Sequence, residues 1–123
     1  MTNFRKLEVW QLAHQTTLEV YRLTATLPDH ERYGLVSQMR RSATSVAANI
    51  AEGAGRDTDR DFARFIAIAR SSANETDYHA LLAKDLGYID EPAWARVSEL
   101  ISRTRSMLTK LRQTLLKAQA EGG

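Results

Sequence analysis

Cysteine is absent from the sequence. That excludes thiolate zinc sites, iron–sulfur clusters and thiol nucleophiles, and it leaves no sign of an oxidising compartment, so a cytoplasmic location is expected. Glycine and proline are nearly as scarce, with 6 and 2 residues in 123. A many-stranded sandwich or barrel needs more turn residues than that, so helices are favoured before any periodicity is considered. No apolar run approaches the roughly 18 residues of a membrane span, and the opening Met1-Thr2-Asn3-Phe4-Arg5-Lys6 has no apolar signal core. A soluble chain without a membrane partner is expected. The length suits one hydrophobic core, and a domain of this size buries about two-thirds of its unfolded surface, enough to stand without a disulfide or a structural metal. A single domain over residues 1–123 follows.

Catalytic spacings are missing as well. His14, His30 and His79 lie on separate segments without a His-Glu-x-x-His pair, and Glu75 is followed at plus three by Tyr78, not by the histidine that helix-borne di-iron sites use. No Gly-x-Ser-x-Gly elbow occurs. The expectation is a non-enzyme, with no catalytic residue, no metal and no cofactor.

Three groups of turn residues divide the chain: Pro28-Asp29-His30-Glu31, Gly53-Ala54-Gly55-Arg56-Asp57, and Gly87-Tyr88-Ile89-Asp90-Glu91-Pro92. They leave four helical segments, predicted at 7–27, 33–52, 59–86 and 91–118. Short connections between helices of this length describe an all-α, antiparallel up-down-up-down four-helix bundle. The last residues, from Ala120, are expected to fray.

On the first helix Val9, Ala13, Thr16, Val20, Leu23 and Leu27 form a core stripe. A second stripe of Leu7, Trp10, His14, Thr17 and Tyr21 lies about 100° around. Either this helix meets two neighbours in its own bundle, or Trp10, His14 and Tyr21 belong to a contact between subunits. On the second helix Leu35, Met39, Val46 and Ile50 face the core beside a polar stripe of Gln38, Ser42, Ser45, Asn49 and Glu52. Asn49 and Glu52 are expected to tie helices together, since a buried polar group without a partner costs about 1 to 3 kcal/mol. Gly53 and Gly55 are expected to stop this helix, and Thr58-Asp59-Arg60-Asp61 to cap the next. A phosphate cradle in Gly53-Ala54-Gly55-Arg56 lacks the longer loop and the preceding strand.

The third helix is lined by Phe62, Phe65, Ile66, Ala69, Ala73, Thr76, Ala80 and Ala83, and the alanines allow close helix approach. Its Glu75 either pairs with Arg40 or Arg41 or stays in solvent. On the fourth, Trp94, Val97, Ile101, Thr104, Leu108, Leu111 and Leu115 keep 3-4 spacing. Arg96, Arg103, Lys110 and Lys117 recur every seven residues along one edge, about 10.5 Å apart on the axis. The net charge of +2 is unevenly spread: residues 91–123 hold 6 Lys/Arg against 3 Asp/Glu, while residues 1–90 hold 11 against 12. The row either snorkels at the core edge or contacts a phosphate backbone.

Leu7-Glu8-Val9-Trp10-Gln11-Leu12-Ala13, Tyr33-Gly34-Leu35, Gln38-Met39-Arg40-Arg41-Ser42-Ala43, Ala47-Ala48-Asn49-Ile50-Ala51-Glu52-Gly53 and Lys84-Asp85-Leu86-Gly87-Tyr88-Ile89 together resemble one family. It is the bacterial four-helix bundle proteins, also called intervening-sequence proteins because some are encoded in inserts within 23S ribosomal RNA genes. The resemblance spans roughly Phe4 to Leu115. It implies a left-handed bundle assembled as a homopentamer, similar to the accessory proteins of diversity-generating retroelements, which bind a reverse transcriptase and nucleic acid. It implies no enzymatic activity, and it makes Arg40, Arg41, Asn49, Glu52 and Gly53 the signature positions. Those accessory proteins are more strongly basic than this chain. The function expected is a non-catalytic homo-oligomeric binding or assembly module with RNA as partner; the alternative is a scaffold for a partner protein with no nucleic-acid role.

Overall fold

The computed structural model describes residues 2–122. Its four helices are α1 (Glu8–Thr24), α2 (Leu35–Ala54), α3 (Asp59–Asp85) and α4 (Glu91–Gly122), with short 3-10 turns at Phe4–Lys6 and Asp29–Glu31. Each helix packs on its neighbours in sequence, α1 closes against α4, and among the described residues the backbones of the diagonal pairs do not come within 8 Å. No strand occurs among the described residues, and no helix there is long and apolar enough to cross a membrane.

Local chemistry sets the boundaries. The Thr58 hydroxyl accepts the Asp61 N–H at 3.1 Å and the Asp90 carboxylate accepts the Ala93 N–H at 2.9 Å, each satisfying a first-turn donor. At the end of α3, Gly87 takes φ +79°, and the N–H groups of Gly87 and Tyr88 reach back to the carbonyls of Lys84 and Ala83, both at 2.9 Å. Glycine adopts this left-handed turn at little cost, and it closes the helix.

Several predicted ends shift. α1 stops at Thr24, not at residue 27, and Leu27 reaches the core from non-helical backbone. α2 begins at Leu35, not at residue 33, because Gly34 at φ −107°, ψ −110° lies outside the helical region. It then continues through Gly53 and Ala54, so Gly53 does not stop it. α4 runs on to Gly122 where fraying was expected from Ala120; Gly123 lies outside the described residues.

The predicted stripes meet in one core. Val9, Ala13, Val20, Met39, Ile50, Ile66, Ala69, Ala80, Val97, Ile101 and Leu108 are all at most 4% exposed. Leu12, outside both predicted stripes of α1, is buried too, whereas Phe65 is only half-buried. Midway along the bundle the four helices leave a hole of about 10 Å³ between Ala13, Thr16, Val46, Ala73, Ile101 and Thr104, room for about one water molecule at most and too small for any substrate.

Candidate functional site

A polar layer joins α2 to α3. Ser42 Oγ lies 3.1 Å from the Met39 carbonyl and from His79 Nδ1, and 2.9 Å from Thr76 Oγ1. One hydroxyl hydrogen cannot serve all these neighbours, and a neutral imidazole with its hydrogen on Nδ1 supplies a further donor. A second step of the layer pairs Ser45 with Ser72 at 2.9 Å, and the Asn49 amide donates to the Ser45 carbonyl at 2.8 Å and to its hydroxyl at 3.0 Å. Asn49 therefore supports the α2–α3 contact through Ser45. Glu52 is exposed and makes no direct contact with α3 of this kind: it pairs with Arg56 at 3.4 Å, and Arg56 in turn pairs with Asp61 in the first turn of α3 at 2.7 Å.

Serine, histidine and carboxylate stand in series at Ser42, His79 and Glu75, but Ser42 is 3% exposed and Glu75 Oε2 is 3.9 Å from His79 Nε2, beyond hydrogen-bond reach. Of the two alternatives for Glu75, exposure holds: its side chain is 61% exposed, and Arg40 is held by Thr24 and Tyr21 on α1. Burial holds the His79 imidazole below its ordinary pKa, with Glu75 opposing. The unfolded chain thus takes up this proton more readily than the folded one. Stability is full above the usual histidine value of about 6.5 and falls as the pH drops below it. Thermal melts from about pH 7.5 to about 5.5 will show a falling Tm that His79→Gln flattens; equal slopes would place the acid sensitivity elsewhere.

The second stripe of α1 is partly covered from within the chain. Trp10 stacks on His14 with ring centroids 5.0 Å apart and meets Phe4 edge-on at 5.0 Å. Tyr21 lies under the Arg40 guanidinium at 4.6 Å, and Arg40 is fixed by Thr24 Oγ1 at 2.8 Å and the Tyr21 carbonyl at 3.3 Å. Tyr21 nonetheless remains 45% exposed, and Leu18 on the same face, absent from the predicted stripe, 43%. On the far side of the bundle α3 exposes Ile68, Tyr78 and Leu81.

Two cationic surfaces flank this framework. On α4, Arg96, Arg103, Lys110 and Lys117 all face solvent as the seven-residue repeat predicts. Arg96 comes within 4.0 Å of Glu19, while Arg103, Lys110 and Lys117 form no ion pair among the described residues. Sequence analysis missed the second surface, an open groove of about 670 Å³ over the outer side of α2, walled by Tyr21, Arg32, Tyr33, Arg40 and Arg41. The signal was present: between Glu31 and Glu52 there is no acidic residue, and that stretch carries three arginines. The near-neutral balance of residues 1–90 concealed it.

The family model described as 23S rRNA-intervening sequence protein matches residues 5–110. The chain belongs to this family. No curated protein matches it. Among solved structures, it is similar to a protein of unknown function from the S23 ribosomal protein family of Bacteroides thetaiotaomicron. The two are 24% identical with a TM-score of 0.79, over 85% of this chain and 97% of the other. That likeness establishes the four-helix fold and nothing further.

The positions that the family resemblance singles out divide by what they touch. Arg40 clamps α2 to the end of α1, Asn49 braces the α2–α3 seam, and Gly53 is buried where α2 crosses the start of α3. Arg41 and Glu52 face solvent. Adjacent on one helix, Arg40 and Arg41 point about 100° apart: Arg40 is held by α1 and Arg41 is free in solvent, and both border the outer side of α2.

Proposed function

We propose that this intervening-sequence protein is a non-catalytic, ring-forming homo-oligomer that acts as an assembly module and associates with RNA. The observation that carries the ring is the position of five of the eight large apolar or aromatic side chains that are exposed. Leu18 and Tyr21 on α1, and Ile68, Tyr78 and Leu81 on α3, stand on diagonally opposite helices. A two-fold dimer uses one self-complementary patch, whereas a head-to-tail ring uses two different ones. A subunit number of five is what the family resemblance implies. Trp10 and His14 extend the α1 side of the same contact. The sealed Ser42 and the near-closed interior favour a role without chemistry, and a chain with no cysteine suits the cytoplasm. RNA association is supported by the unpaired cations of α4 and by the acid-free face of α2. The scaffold alternative draws support from Arg96 beside Glu19 and Arg105 on Asp77 at 2.9 Å, where carboxylates already occupy the cations.

Light scattering at micromolar concentration tests the assembly. The wild type is expected at one fixed multiple of 13.9 kDa. Leu18→Asp and Ile68→Asp are each expected as monomers, and an equimolar mixture as heterodimers, because each variant retains the face that the other lacks. A wild-type monomer, or variants that stay dissociated when mixed, would refute the ring. RNA association is tested by salt titration, in which Arg103→Gln with Lys110→Gln reduces the slope of log affinity against log salt by about 1.4 for a single strand. An unchanged slope favours the scaffold reading.

A further inference from the structure

We propose that the outer face of α2 is a binding groove for single-stranded nucleic acid, with Tyr33 as the platform for a base and Arg32, Arg40 and Arg41 facing the phosphates. The inference rests on the RNA association proposed above and gives it a site and a strand form.

Three observations converge there. Tyr33 is 87% exposed, more than any other large apolar or aromatic side chain described, and the bundle core gains nothing from it. Arg32 approaches its ring at 5.5 Å, so a cation already stands beside the aromatic face. Arg32 and Arg41 form no ion pair among the described residues. The nearest carboxylate in sequence, Glu31, is turned away to accept the Tyr88 hydroxyl at 2.9 Å and the Leu35 N–H at 3.3 Å. The groove thus carries positive charge with no competing acid along its length.

Strand form follows from the side-chain types. Bases within a duplex are stacked on one another and cannot lie on Tyr33, whereas an unpaired base can, and aromatic platforms with interleaved arginines suit single strands regardless of sequence. Ser37 between Arg32 and Arg40, and Thr44 and Ala48 one and two turns beyond Arg41, are small enough to let a backbone lie close to the helix. Arg40 is held in place by Thr24 and Tyr21, so its charge is positioned before any ligand arrives, which reduces the ordering cost of binding. The α4 row has regular charge spacing but no aromatic residue among its four members, so it can follow a phosphate backbone without distinguishing paired from unpaired strands.

Fluorescence anisotropy with a labelled 12-nucleotide oligouridylate, its deoxy counterpart, a 12-base-pair RNA duplex and a polyglutamate peptide tests the groove at low salt. Both single strands are expected to bind more tightly than the duplex or the peptide, with tighter binding of oligouridylate identifying RNA as the source and equal binding admitting either sugar. Tyr33→Ala should weaken single-strand binding about tenfold while Tyr33→Phe retains it. Arg41→Gln should weaken it and lower the salt slope by about 0.7. Circular dichroism checks that the variants remain folded, as expected for changes at exposed positions. If the wild type binds RNA but neither Tyr33→Ala nor Arg41→Gln changes the affinity, the groove is overturned and RNA association stands. If the wild type binds no RNA, both fall. Preference for the duplex or for polyglutamate also overturns the groove, the latter in favour of an acidic protein partner.

Discussion

Ile101→Ala will lower the stability of the bundle by about 2 to 5 kcal/mol. Ile101 is 1% exposed and forms one wall of the small hole at the centre of the four helices. Removing its outer carbons enlarges a void that already exists, so neighbouring side chains must cross an existing gap to close the new one. The enlarged space also meets the hydroxyls of Thr16, Thr76 and Thr104, whose hydrogens reach the carbonyls of Leu12, Ser72 and Leu100 at 2.8 Å each. Their lone pairs remain able to accept, so the cavity takes up water where an all-aliphatic one would stay dry. Urea denaturation should give a lower midpoint with an unchanged slope. A loss under about 1 kcal/mol would mean that the core collapses around the change.

A second large effect has the opposite sign to the usual rule. Glycine to alanine within a helix ordinarily stabilises by roughly 0.5 to 1 kcal/mol. Gly53 lies inside α2, and a Cβ there would come within 2.8 Å of Phe62 Cδ1 and 2.8 Å of Phe65 Cβ. The Phe62 ring can rotate away, but Phe65 Cβ is fixed to the α3 backbone, so relief requires separating α2 from α3. Gly53→Ala is therefore expected to destabilise the protein by about 1 to 3 kcal/mol, with a lower Tm. A higher Tm would show that the helices separate easily at this crossing.

The periodicity of α4 predicted its buried Val97, Ile101, Thr104, Leu108 and Leu115, because 3-4 spacing on a long helix has only one geometric solution. Gly53 was harder to place: a glycine after an apolar run ordinarily marks a helix end, and only the position of α3 shows that close packing is the reason for it. The same limit applies to charge pairing. Glu75 and Arg40 are compatible in sequence, but Arg40 is taken up by Thr24 and the Tyr21 carbonyl on α1, while Glu75 stays exposed. Glu52 shares a stripe with Asn49, yet it lies on the outer edge of that stripe and reaches α3 only through Arg56, which also pairs with Asp61. The α4 cations were legible because they repeat. The α2 groove was not, because Arg32 and Tyr33 come from the connection ahead of the helix and join Arg40 and Arg41 only once the chain has turned.

Packing of each helix on its neighbours in sequence also affects how quickly the chain finds its structure. Contacts between adjacent helices require only short loops to close, and helical bundles built this way fold in microseconds to milliseconds. The α2–α3 pair, joined by residues 55–58 and sharing the serine–histidine layer, can form with the smallest loss of chain entropy. The seam between α1 and α4 closes the longest loop, so of the four helix pairings it carries the largest loss of chain entropy.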